Sequence, residues 1–469
     1  MRHLGALPRS AQGRKSKRRF ALRAKALCNK AECANDRLPP SEEPFCPQRV
    51  KRDRCAFGGQ MADRDADTRK DDLRTGTPFW VRTSNSTVSG EVSLNVDHAE
   101  VIVVGAGISG ALVAEALTAR GRSVLVIDRR PPVRGSTPAS TAMIQHEIDV
   151  PLTKLQRQIG TAKANAAWRR SAKAVNDLVD LVDALRIDCA MERKPALYLA
   201  GDQMGKRALK AEAEARRAIG IEAEYLTAAQ LADEYGMDRT GAIRSVASAS
   251  ANPAQLTAGL LTRAIKRGAK VISPVEITDM AELPGGVALA TRQGEVVTAD
   301  HVVFCTGYEH LPQMQTSAHH VTSTWALASK PLKRLPEWMT QTIVWEASDP
   351  YLYFRTDASG RIIAGGEDED AATTNSDPDK LQRKAVIIAR KLRDLTGVDI
   401  GKPAYTWSAP FSVTTDGLPI FDTVPGFSRV HTVMGFGGNG ITFSVIGAQI
   451  IAARIAGKRD PDQEIFSYR

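Results

Sequence analysis

The sequence has few of the residues that mark disulfide-stapled, metal-bound or membrane-spanning proteins. It contains six cysteines in 469 residues, and no two of them form a C-x-x-C pair, which argues against a zinc site and against a disulfide framework. No uninterrupted apolar run reaches the roughly 18 residues that a transmembrane helix needs. We therefore expect no metal, no membrane span and a reduced, cytoplasmic protein.

Acidic residues are scarce at the N-terminus. None precedes Glu32, and residues 1–60 hold 15 Lys and Arg against five Asp and Glu, an excess that equals the net charge of +10 for the whole chain. This arm lacks the apolar core of a secretory signal. It could be a transit-like targeting peptide, a nucleic-acid-binding tail or a disordered extension. We favour the extension, with the functional beginning near Met61, and expect no nucleic-acid partner.

The most informative segment of the body is VIVVGAGISG at 101–110. Its β-branched residues suit a buried parallel strand, and the glycines after them form G-x-G-x-x-G. Gly105 permits a tight turn, Gly107 lets a pyrophosphate approach the backbone, and Gly110 lets the next helix pack on the strand. That helix is predicted over about 109–120, with its positive end towards phosphate.

An acid follows the second strand of this unit at the position that a dinucleotide site requires. The strand 124–127 ends at Asp128, which is 18 residues beyond Gly110, close to the ~20 expected for a carboxylate that binds an adenosine ribose. G-x-G-x-x-G alone is a weak signal. Because strand, glycines, helix, strand and acid occur in order, the sequence predicts a dinucleotide site.

Two further glycine sites favour a flavin over a nicotinamide. The apolar strand 302–305 closes on Thr306 and Gly307, and a glycine-rich turn at 435–440 joins a strand to a helix. So many glycines in one turn suggest a flat group lying against the backbone. The helix that follows points its N-terminus at this turn, which suits a ring that gains negative charge on reduction.

Strands and helices alternate around the glycine sites, whereas strand pairs cluster elsewhere. This pattern predicts an α/β fold, α+β overall, in which a Rossmann-type βαβ domain receives an inserted mixed-sheet substrate domain. Helices are predicted over about 152–185, 205–219, 228–235, 252–269 and 378–396, and strands over about 196–199, 270–277, 287–291, 295–298, 301–305, 351–356, 361–364 and 430–434.

From about residue 71 to the end, the chain resembles the D-amino-acid-oxidase-like superfamily of FAD-dependent oxidoreductases, which includes glycine oxidase and sarcosine oxidase. The resemblance is carried by VIVVGAGISG, GSTPASTAMIQHEIDVPL, ANPAQLTAGLLTRAIKRGAKVI, VVFCTG, YLYFRTDASGRIIAGGE, TTDGLPIF and MGFGGNGITFS, in that order. It implies an FAD-binding domain from 98–150, 250–310 and 400–469, a substrate domain from 151–249 and 311–399, and a lead-in over 61–97.

The resemblance also implies the residues that hold the cofactor. These would be Gly105, Gly107, Ile108, Ser109 and Gly110 around the pyrophosphate, Asp128 and Arg129 near the adenosine ribose, Ser140 and Thr141 near the flavin, Val275 at the adenine, Gly307 at the pyrophosphate, and Gly438, Asn439, Gly440 and Ile441 at the pyrimidine edge of the flavin.

The chain departs from the family at the groups that tether flavin and clamp substrate. The cysteine that binds flavin covalently in sarcosine oxidase corresponds to Ala409, so the FAD is expected to be non-covalent. The arginine and lysine that clamp the sarcosine carboxylate correspond to Gln145 and Thr442. The arginine that glycine oxidase places in its final glycine turn is replaced by glycine. A small free amino acid is therefore a less secure substrate.

One arginine remains as a candidate carboxylate clamp. Alternation along strand 351–356 places Tyr351, Tyr353 and Arg355 on one face, and the corresponding sheet of the family faces the flavin. A guanidinium between two phenols could hold a carboxylate in two hydrogen bonds, although it could equally pair with an acid at the surface. Gln145 and His146 are candidate contacts on the other side.

The predicted activity is oxidation of a C–N bond of an amino acid or secondary amine, by hydride transfer to FAD. Such chemistry requires positioning and a dry site more than a strong base, so no catalytic base is assigned. Oxygen or a quinone would accept the electrons. Two alternatives stay open: an NAD-dependent dehydrogenase, which the third glycine site and Arg129 beside the ribose acid oppose, and a non-catalytic nucleotide-binding protein.

Overall fold

The structure is a computed structural model that describes residues 73–84, 86–371 and 374–469. The predicted basic arm, residues 1–60, lies outside the described residues, as do the first residues of the lead-in. Within the described ranges, no helix is long and apolar enough to cross a membrane.

Twenty strands of the described chain form one nine-stranded, one eight-stranded and one three-stranded sheet. The strands are β1 (Thr75–Gly76), β2 (His98–Val104), β3 (Val124–Ile127), β4 (Met143–Gln145), β5 (Glu192–Arg193), β6 (Ala196–Leu199), β7 (Ala223–Thr227), β8 (Gly241–Ser245), β9 (Ser248–Ser250), β10 (Lys270–Ile272), β11 (Ile277–Leu283), β12 (Gly286–Thr291), β13 (Val296–Phe304), β14 (His319–Ala328), β15 (Ile343–Glu346), β16 (Leu352–Thr356), β17 (Ile362–Glu369), β18 (Tyr405–Thr414), β19 (Ile420–Thr423) and β20 (Val430–Met434).

Ten α-helices accompany these strands over the same described ranges. They are α1 (Phe79–Thr83), α2 (Ile108–Thr118), α3 (Leu152–Ile159), α4 (Thr161–Leu185), α5 (Lys206–Ala218), α6 (Ala228–Tyr235), α7 (Pro253–Lys266), α8 (Glu337–Gln341), α9 (Pro378–Thr396) and α10 (Gly440–Ile455).

The eight-stranded sheet contains the predicted nucleotide-binding unit. Its strands β10, β3, β2 and β13 run parallel in that order, and β20 joins β13 in parallel. Residues 101–103 are fully buried because both faces of the sheet are covered, α2 packing with α7 and α10 on one of them. The mixed α/β fold predicted from the sequence is confirmed in this sheet.

The nine-stranded sheet has the order β1-β18-β14-β17-β16-β15-β6-β8-β7 and is largely antiparallel. Most of it comes from the predicted substrate segments. Strand β18, which the prediction gave to the FAD-binding domain, instead pairs with β14 over ten residues. Strand β1 of the lead-in pairs with β18 as well. Segments far apart in sequence therefore share this sheet, because strand pairing is decided by the tertiary fold.

Local signals account for the helix boundaries. Asn252 begins α7 by accepting hydrogen bonds from Ala254 N and Gln255 N, and the side chain of Asp377 begins α9 in the same way. The amphipathic helical region predicted over 152–185 contains two helices, because Gly160 lies between them with φ +87°. This φ is accessible to glycine and breaks the helical path.

The small third sheet sets the path of the chain between the two large ones. It has the order β4-β9-β5, and β4 ends at Gln145. The next residues, 146–150, run in extended and bent conformation to the start of α3. This segment passes between the nucleotide unit and the nine-stranded sheet, where the main cavity lies.

Candidate active site

A single cavity of about 670 Å³ runs between the two large sheets. We call its two sides the nucleotide half and the substrate half. The nucleotide half is lined by the loops that follow β2, β3 and β13. The substrate half is lined by the segment 145–149 and by the nine-stranded sheet. The volume lies within the range of ligand-binding pockets in proteins.

The first glycine turn is shaped by close backbone approach. Gly105 has φ +115°, and a Cβ there would lie 2.3 Å from the carbonyl oxygen of Cys305. A Cβ at Gly110 would lie 1.8 Å from Gly105 O. At Gly107 a Cβ would meet only Thr137 Oγ1, at 3.0 Å, so this position leaves the backbone open to the cavity. The three glycines thus serve the packing and access that the sequence predicted.

Asp128 lies in the cavity lining and also braces the glycine turn. Its Oδ2 accepts a hydrogen bond from Ala106 N at 2.6 Å, and its Oδ1 accepts one from Arg130 N at 2.8 Å. Burial raises the pKa of this carboxyl above its usual range, although the two backbone donors oppose that shift. The ribose contact that the sequence predicts stays a prediction.

Two adjacent guanidinium groups lie in the nucleotide half, each paired with a carboxylate. Arg129 and Arg130 both line the cavity, and both donate to the carboxylate of Glu309, Arg130 Nη1 at 2.7 Å. Arg129 also lies 3.7 Å from Glu276. These ion pairs fix the two arginines beside the turn, but Glu309 and Glu276 neutralise their charge, so the cluster adds no net positive charge to the cavity. The prediction that Arg129 lies at the nucleotide site agrees with this position.

The predicted flavin loop is held by its backbone. Trp407 Nε1, Trp80 Nε1 and Arg355 Nε donate to three consecutive carbonyl oxygens of residues 139–141, each at 2.8 Å. The donors come from β18, α1 and β16 respectively. Three long side chains thereby fix this loop, whose residues line the cavity. Ser140 and Thr141, both predicted as flavin contacts, belong to it.

Arg355 does not occupy the position predicted for a carboxylate clamp. Its Nε donates to Thr141 O, its Nη2 donates to Ala251 O at 2.7 Å, and its guanidinium lies 5.4 Å from the Trp80 ring. The residue is 2% exposed and is absent from the cavity lining, and burial lowers its pKa to about 10. Alternation correctly placed Arg355 on the same face as Tyr351 and Tyr353. At Arg355, however, that face is covered by protein and does not border the cavity.

His146 is also outside the cavity. Its Nδ1 lies 2.9 Å from Ala247 O and 3.3 Å from the Glu147 carboxylate, and the side chain is fully buried. Burial lowers its pKa. The alternation of the chain after β4 instead brings Gln145, Glu147 and Asp149 to the cavity. The predicted contact at Gln145 therefore lies at the cavity, whereas the one at His146 does not.

The third glycine turn packs against this same segment. Gly438 N donates to Asp149 Oδ2 at 2.8 Å, and Asn439 Nδ2 donates to the carbonyl oxygen of Glu147. Gly437 has φ +56°, and a Cβ there would lie 2.2 Å from Asp149 Oδ2. Two of the residues predicted at the flavin edge are thus engaged with the segment 147–149.

The remaining predicted cofactor residues all border the same cavity. Val275 donates its N–H to Asp128 O at 2.8 Å, and Gly307 has φ +67°. Ser109 Oγ lies 2.7 Å from Ser444 Oγ, which ties α2 to α10. The cavity lining includes Ile108, Ser109, Val275, Gly307, Gly438, Asn439, Gly440 and Ile441.

Tyr351 and Tyr353 line the substrate half as predicted, and an acid that the prediction did not single out accompanies them. Tyr351 OH donates to Asp368 Oδ2 at 2.6 Å. Burial raises the pKa of both phenols. Burial and the charge of Asp149 raise the pKa of Asp368 to about 6, against the hydrogen bonds from Thr324 and Tyr351. This half of the cavity therefore contains phenols and carboxylates.

The sequence reasoning missed these acids for different reasons. Glu147 and Asp149 follow β4 in strict alternation with Gln145, so the pattern could have placed them at the cavity. Asp368 lies next to the end of β17, and only the pairing of Leu352 with Gly366 brings that strand beside Tyr351. No local signal predicts that register.

Comparisons with known proteins agree with this arrangement. A model of the family described as FAD dependent oxidoreductase (DAO) matches residues 100–454. The probable oxidoreductase OrdL of Haemophilus influenzae is 20% identical over 374 residues, which cover 77% of this chain and 84% of that protein.

The fold is also similar to solved structures. Glycine oxidase from Geobacillus kaustophilus matches with a TM-score of 0.66 and 20% identity, covering 80% of this chain and 99% of that one. L-proline dehydrogenase from P. horikoshii matches with a TM-score of 0.68 and 18% identity, covering 79% and 97%. At these identities the structural similarity establishes the fold alone.

Proposed function

Because the chain belongs to the DAO family of FAD-dependent oxidoreductases, we propose that it oxidises a C–N bond of a small amine or amino acid. The enzyme class and the cofactor follow from the family, whereas the bond oxidised is the proposal. It is supported by two similar structures that are named as a glycine oxidase and an L-proline dehydrogenase.

The residues of the nucleotide half fit FAD on their own geometry. Gly105 and Gly110 allow the backbone to pack without collision, and Gly107 leaves it accessible from the cavity. The N-terminal end of α2 supplies partial positive charge for a pyrophosphate. A dinucleotide is thus accommodated by backbone approach and by charge together.

We assign the cofactor contacts to the residues that border the cavity. Gly105, Gly107, Ile108, Ser109 and Gly307 would hold the pyrophosphate, Asp128 and Arg129 the ribose, Val275 the adenine, and Ser140, Thr141, Gly438, Asn439, Gly440 and Ile441 the flavin. Gly110 lies outside the lining and would act by letting α2 pack against Gly105. Ala409 borders the cavity where sarcosine oxidase has its tethering cysteine, which supports non-covalent binding.

The chemistry that bound FAD supplies is the acceptance of two electrons as a hydride. The substrate loses that hydride from carbon and a proton from nitrogen, so that its C–N single bond becomes C=N. Water then adds to the imine, the amine leaves, and a carbonyl compound remains. The electrons pass finally to oxygen or a quinone. We expect Tyr351, Tyr353 and Gln145 to orient the substrate and to restrict water around the reacting carbon.

The observation that carries this proposal is the continuity of the cavity. One continuous cavity joins the glycine turn at 105–107 to the phenols of Tyr351 and Tyr353. A reactant held in the substrate half therefore has direct access to a ring held beside the turn at 437–441. A non-catalytic nucleotide-binding protein has no need of such a chamber.

An anaerobic reduction experiment tests the proposal. The full chain with bound FAD is mixed with panels of amines, N-methylated amines and amino acids, and the blue absorption band of the flavin is followed. Bleaching by one panel, with formation of the corresponding carbonyl compound, is the expected result. Readmitting oxygen or adding a quinone then identifies the acceptor from the rate at which the band returns.

Two results would contradict the proposal. A flavin that no amine or amino acid bleaches would favour a non-catalytic role or a different reductant. A chain that binds NAD instead of FAD would favour the nicotinamide-dependent alternative.

A further inference from the structure

The substrate half of the cavity has an unusual charge distribution. Four carboxylates line it: Glu147, Asp149, Asp368 and Glu346, the last of which is paired with Arg239 at 2.7 Å. Among the described lining residues of this half, Lys154 is the one lysine or arginine, and its side chain is exposed at the start of α3. The inner wall of the substrate half, which a bound substrate would contact, is therefore acidic.

These acids are not equally compensated. The carboxylate of Glu147 lies 3.5 Å from Arg216 Nη1, and both side chains are almost fully buried. Asp149 receives one hydrogen bond, from Gly438 N, and no ion pair with a described residue. Asp368 receives hydrogen bonds from the Tyr351 hydroxyl and from Thr324, and no ion pair with a described residue. Two carboxylates thus face the cavity without a cation in contact with them.

The ammonium nearest to Asp368 along the sheet is directed elsewhere. Lys384 lies 3.1 Å from Glu369 Oε1 and 3.4 Å from Glu367 Oε2, both of which flank Asp368 on β17. Its charge lowers the pKa of Asp368 only weakly, and burial and the Asp149 charge prevail. Neither Asp149, which is exposed, nor Asp368 has a cation in contact among the described residues, so a cationic ligand would favour the charged form of both acids.

A separate observation points to a ligand at the same place. Gln145 is 8% exposed, lines the cavity, and its Nε2 is buried without a hydrogen-bond partner in the described chain. A buried amide donor without an acceptor is costly unless a ligand satisfies it. Because this group is a donor, the ligand atom that satisfies it must be an acceptor, such as the lone pair of a neutral amino group. Gln145 itself is uncharged and does not offset a substrate carboxylate.

Aromatic rings complete the wall around these groups. Tyr198 and Trp345 stack with ring centroids 3.9 Å apart, and both line the cavity together with Tyr351 and Tyr353. Tyr198 already contacts a cation, because the Arg216 guanidinium lies 5.7 Å from its ring centroid. The other rings of this wall can attract a cation of the ligand, and carboxylates beside them strengthen that preference.

From these contacts we propose that the substrate is an amine that carries a second positive group and no carboxylate, with the positive group bound by Asp149 and Asp368. The inference rests on the proposed C–N oxidation and narrows its substrate class to diamines and related cationic amines. One amino group reacts in its neutral form, while the other remains protonated in the acidic subsite. An α-amino acid would place its carboxylate among carboxylates.

Pairs of compounds that differ only in one terminal group test this inference on the FAD-loaded full chain. Putrescine is compared with γ-aminobutyrate, ethylenediamine with glycine, and each N-methyl derivative with its carboxylate counterpart, by anaerobic flavin reduction. We expect at least one diamine to reduce the flavin about 100-fold more efficiently than its partner. The advantage should fall at least about tenfold in Asp149→Asn and Asp368→Asn.

A binding measurement that needs no turnover accompanies the rates. Tetramethylammonium, which has no lone pair for imine formation, should perturb the flavin spectrum and compete with the diamine, whereas acetate should not. Asparagine can still accept the hydrogen bonds from Gly438 and Tyr351, so the two variants should fold. Asp370→Asn removes an exposed acid that follows β17 outside the cavity and serves as the matched control, with unchanged binding.

The outcomes separate the two proposals. Reduction by diamines that weakens in both asparagine variants supports the inference. Reduction by amino acids alone, especially if Lys154→Ala weakens it, overturns the inference and leaves C–N oxidation standing. Reduction by neither series overturns the proposed function, and the inference falls with it.

Discussion

The two halves of the cavity are built in different ways. The nucleotide half depends on backbone: glycines that permit close approach, a helix terminus, and Asp128 accepting two main-chain N–H groups. The substrate half depends on side chains from β6, β14–β18 and the segment 145–149. Backbone geometry is encoded over a few consecutive residues, whereas the substrate wall requires strands that are distant in sequence. One half is consequently set by a motif and the other by the packing of the sheet.

The largest effect should come from filling the tightest point of the nucleotide half. In Gly110→Ala the new Cβ would lie 1.8 Å from Gly105 O, so either α2 or the turn must move. We expect loss of bound FAD and a fall of more than about 3 kcal/mol in the free energy of unfolding. Flavin content after purification and urea unfolding measure both.

A second glycine provides the control for this variant. Gly205 precedes α5 with φ −84°, and a Cβ there has no neighbour within 4 Å. Gly205→Ala should therefore retain FAD and nearly all stability. A Gly110→Ala protein with full FAD content and unchanged stability would show that the backbone does not control the nucleotide half.

Substitution of Arg355 tests whether this residue supports the loop 139–141 of the nucleotide half or contacts the substrate. Arg355→Met removes the donors to Thr141 O and Ala251 O, and leaving buried carbonyls unpaired should cost about 3 kcal/mol of stability and weaken FAD binding. Amine and carboxylate substrates should be affected alike, because the guanidinium supports the loop from outside the cavity. Urea unfolding and the reduction rates of both series measure this, with exposed Arg393→Met as the control.

An effect confined to carboxylate substrates would contradict this assignment. It would mean that Arg355 reaches the substrate after all, and that the loop 139–141 is held by the two tryptophans alone.

The acidity of the substrate half should appear as a pH-dependent stability. The pKa of Asp368 is raised to about 6 from an ordinary 3.8, so folding favours its protonated form. That contribution is fully present below about pH 3.8 and is lost as pH rises through about 6. Asp368→Asn cannot ionise, so it should be more stable than the original chain by about 2 kcal/mol at pH 8 and equally stable near pH 4.

Urea unfolding at the two pH values, with saturating FAD, checks this prediction. A stability difference that grows as pH falls would have the wrong sign and would mean that the Asp368 carboxylate is stabilised in the folded protein.

The smallest effect concerns one hydrogen bond that joins the lead-in to the nucleotide half. Trp80→Phe keeps an aromatic ring but removes the donor to Ser140 O, which should cost about 1 kcal/mol and loosen FAD binding slightly. Thermal unfolding and FAD titration measure it. Trp345→Phe is the matched control, because Trp345 Nε1 has no partner in the described chain and its loss should leave stability nearly unchanged.

Equal stability of the Trp80 and Trp345 variants would count against the loop contact. Trp80 lies in the lead-in, before the residues that the family model matches. Equal stability would mean that the lead-in does not stabilise the nucleotide half through this hydrogen bond.

Several features were predictable because their signals are local. The strand at 101–104, the glycines of its turn, Asp128 and the bounds of helix 378–396 depend on consecutive residues, and the structure has them as predicted. Gly160 is a local signal for the boundary between α3 and α4, which the predicted helical region over 152–185 did not include. The sequence could not predict which sheet contains β18, because its partner β14 is separated from it by most of the second predicted substrate segment, 311–399.

The sequence by itself determined the dinucleotide turn, the order of strands and helices, and the absence of the family's carboxylate clamps, because each depends on residue type and short spacing. Only the tertiary structure decided that Arg355 supports a loop instead of a substrate and that Asp149 and Asp368 face one cavity. Those facts depend on strand register and on depth of burial. Both are fixed by contacts between distant segments, which alternation along a single strand cannot specify.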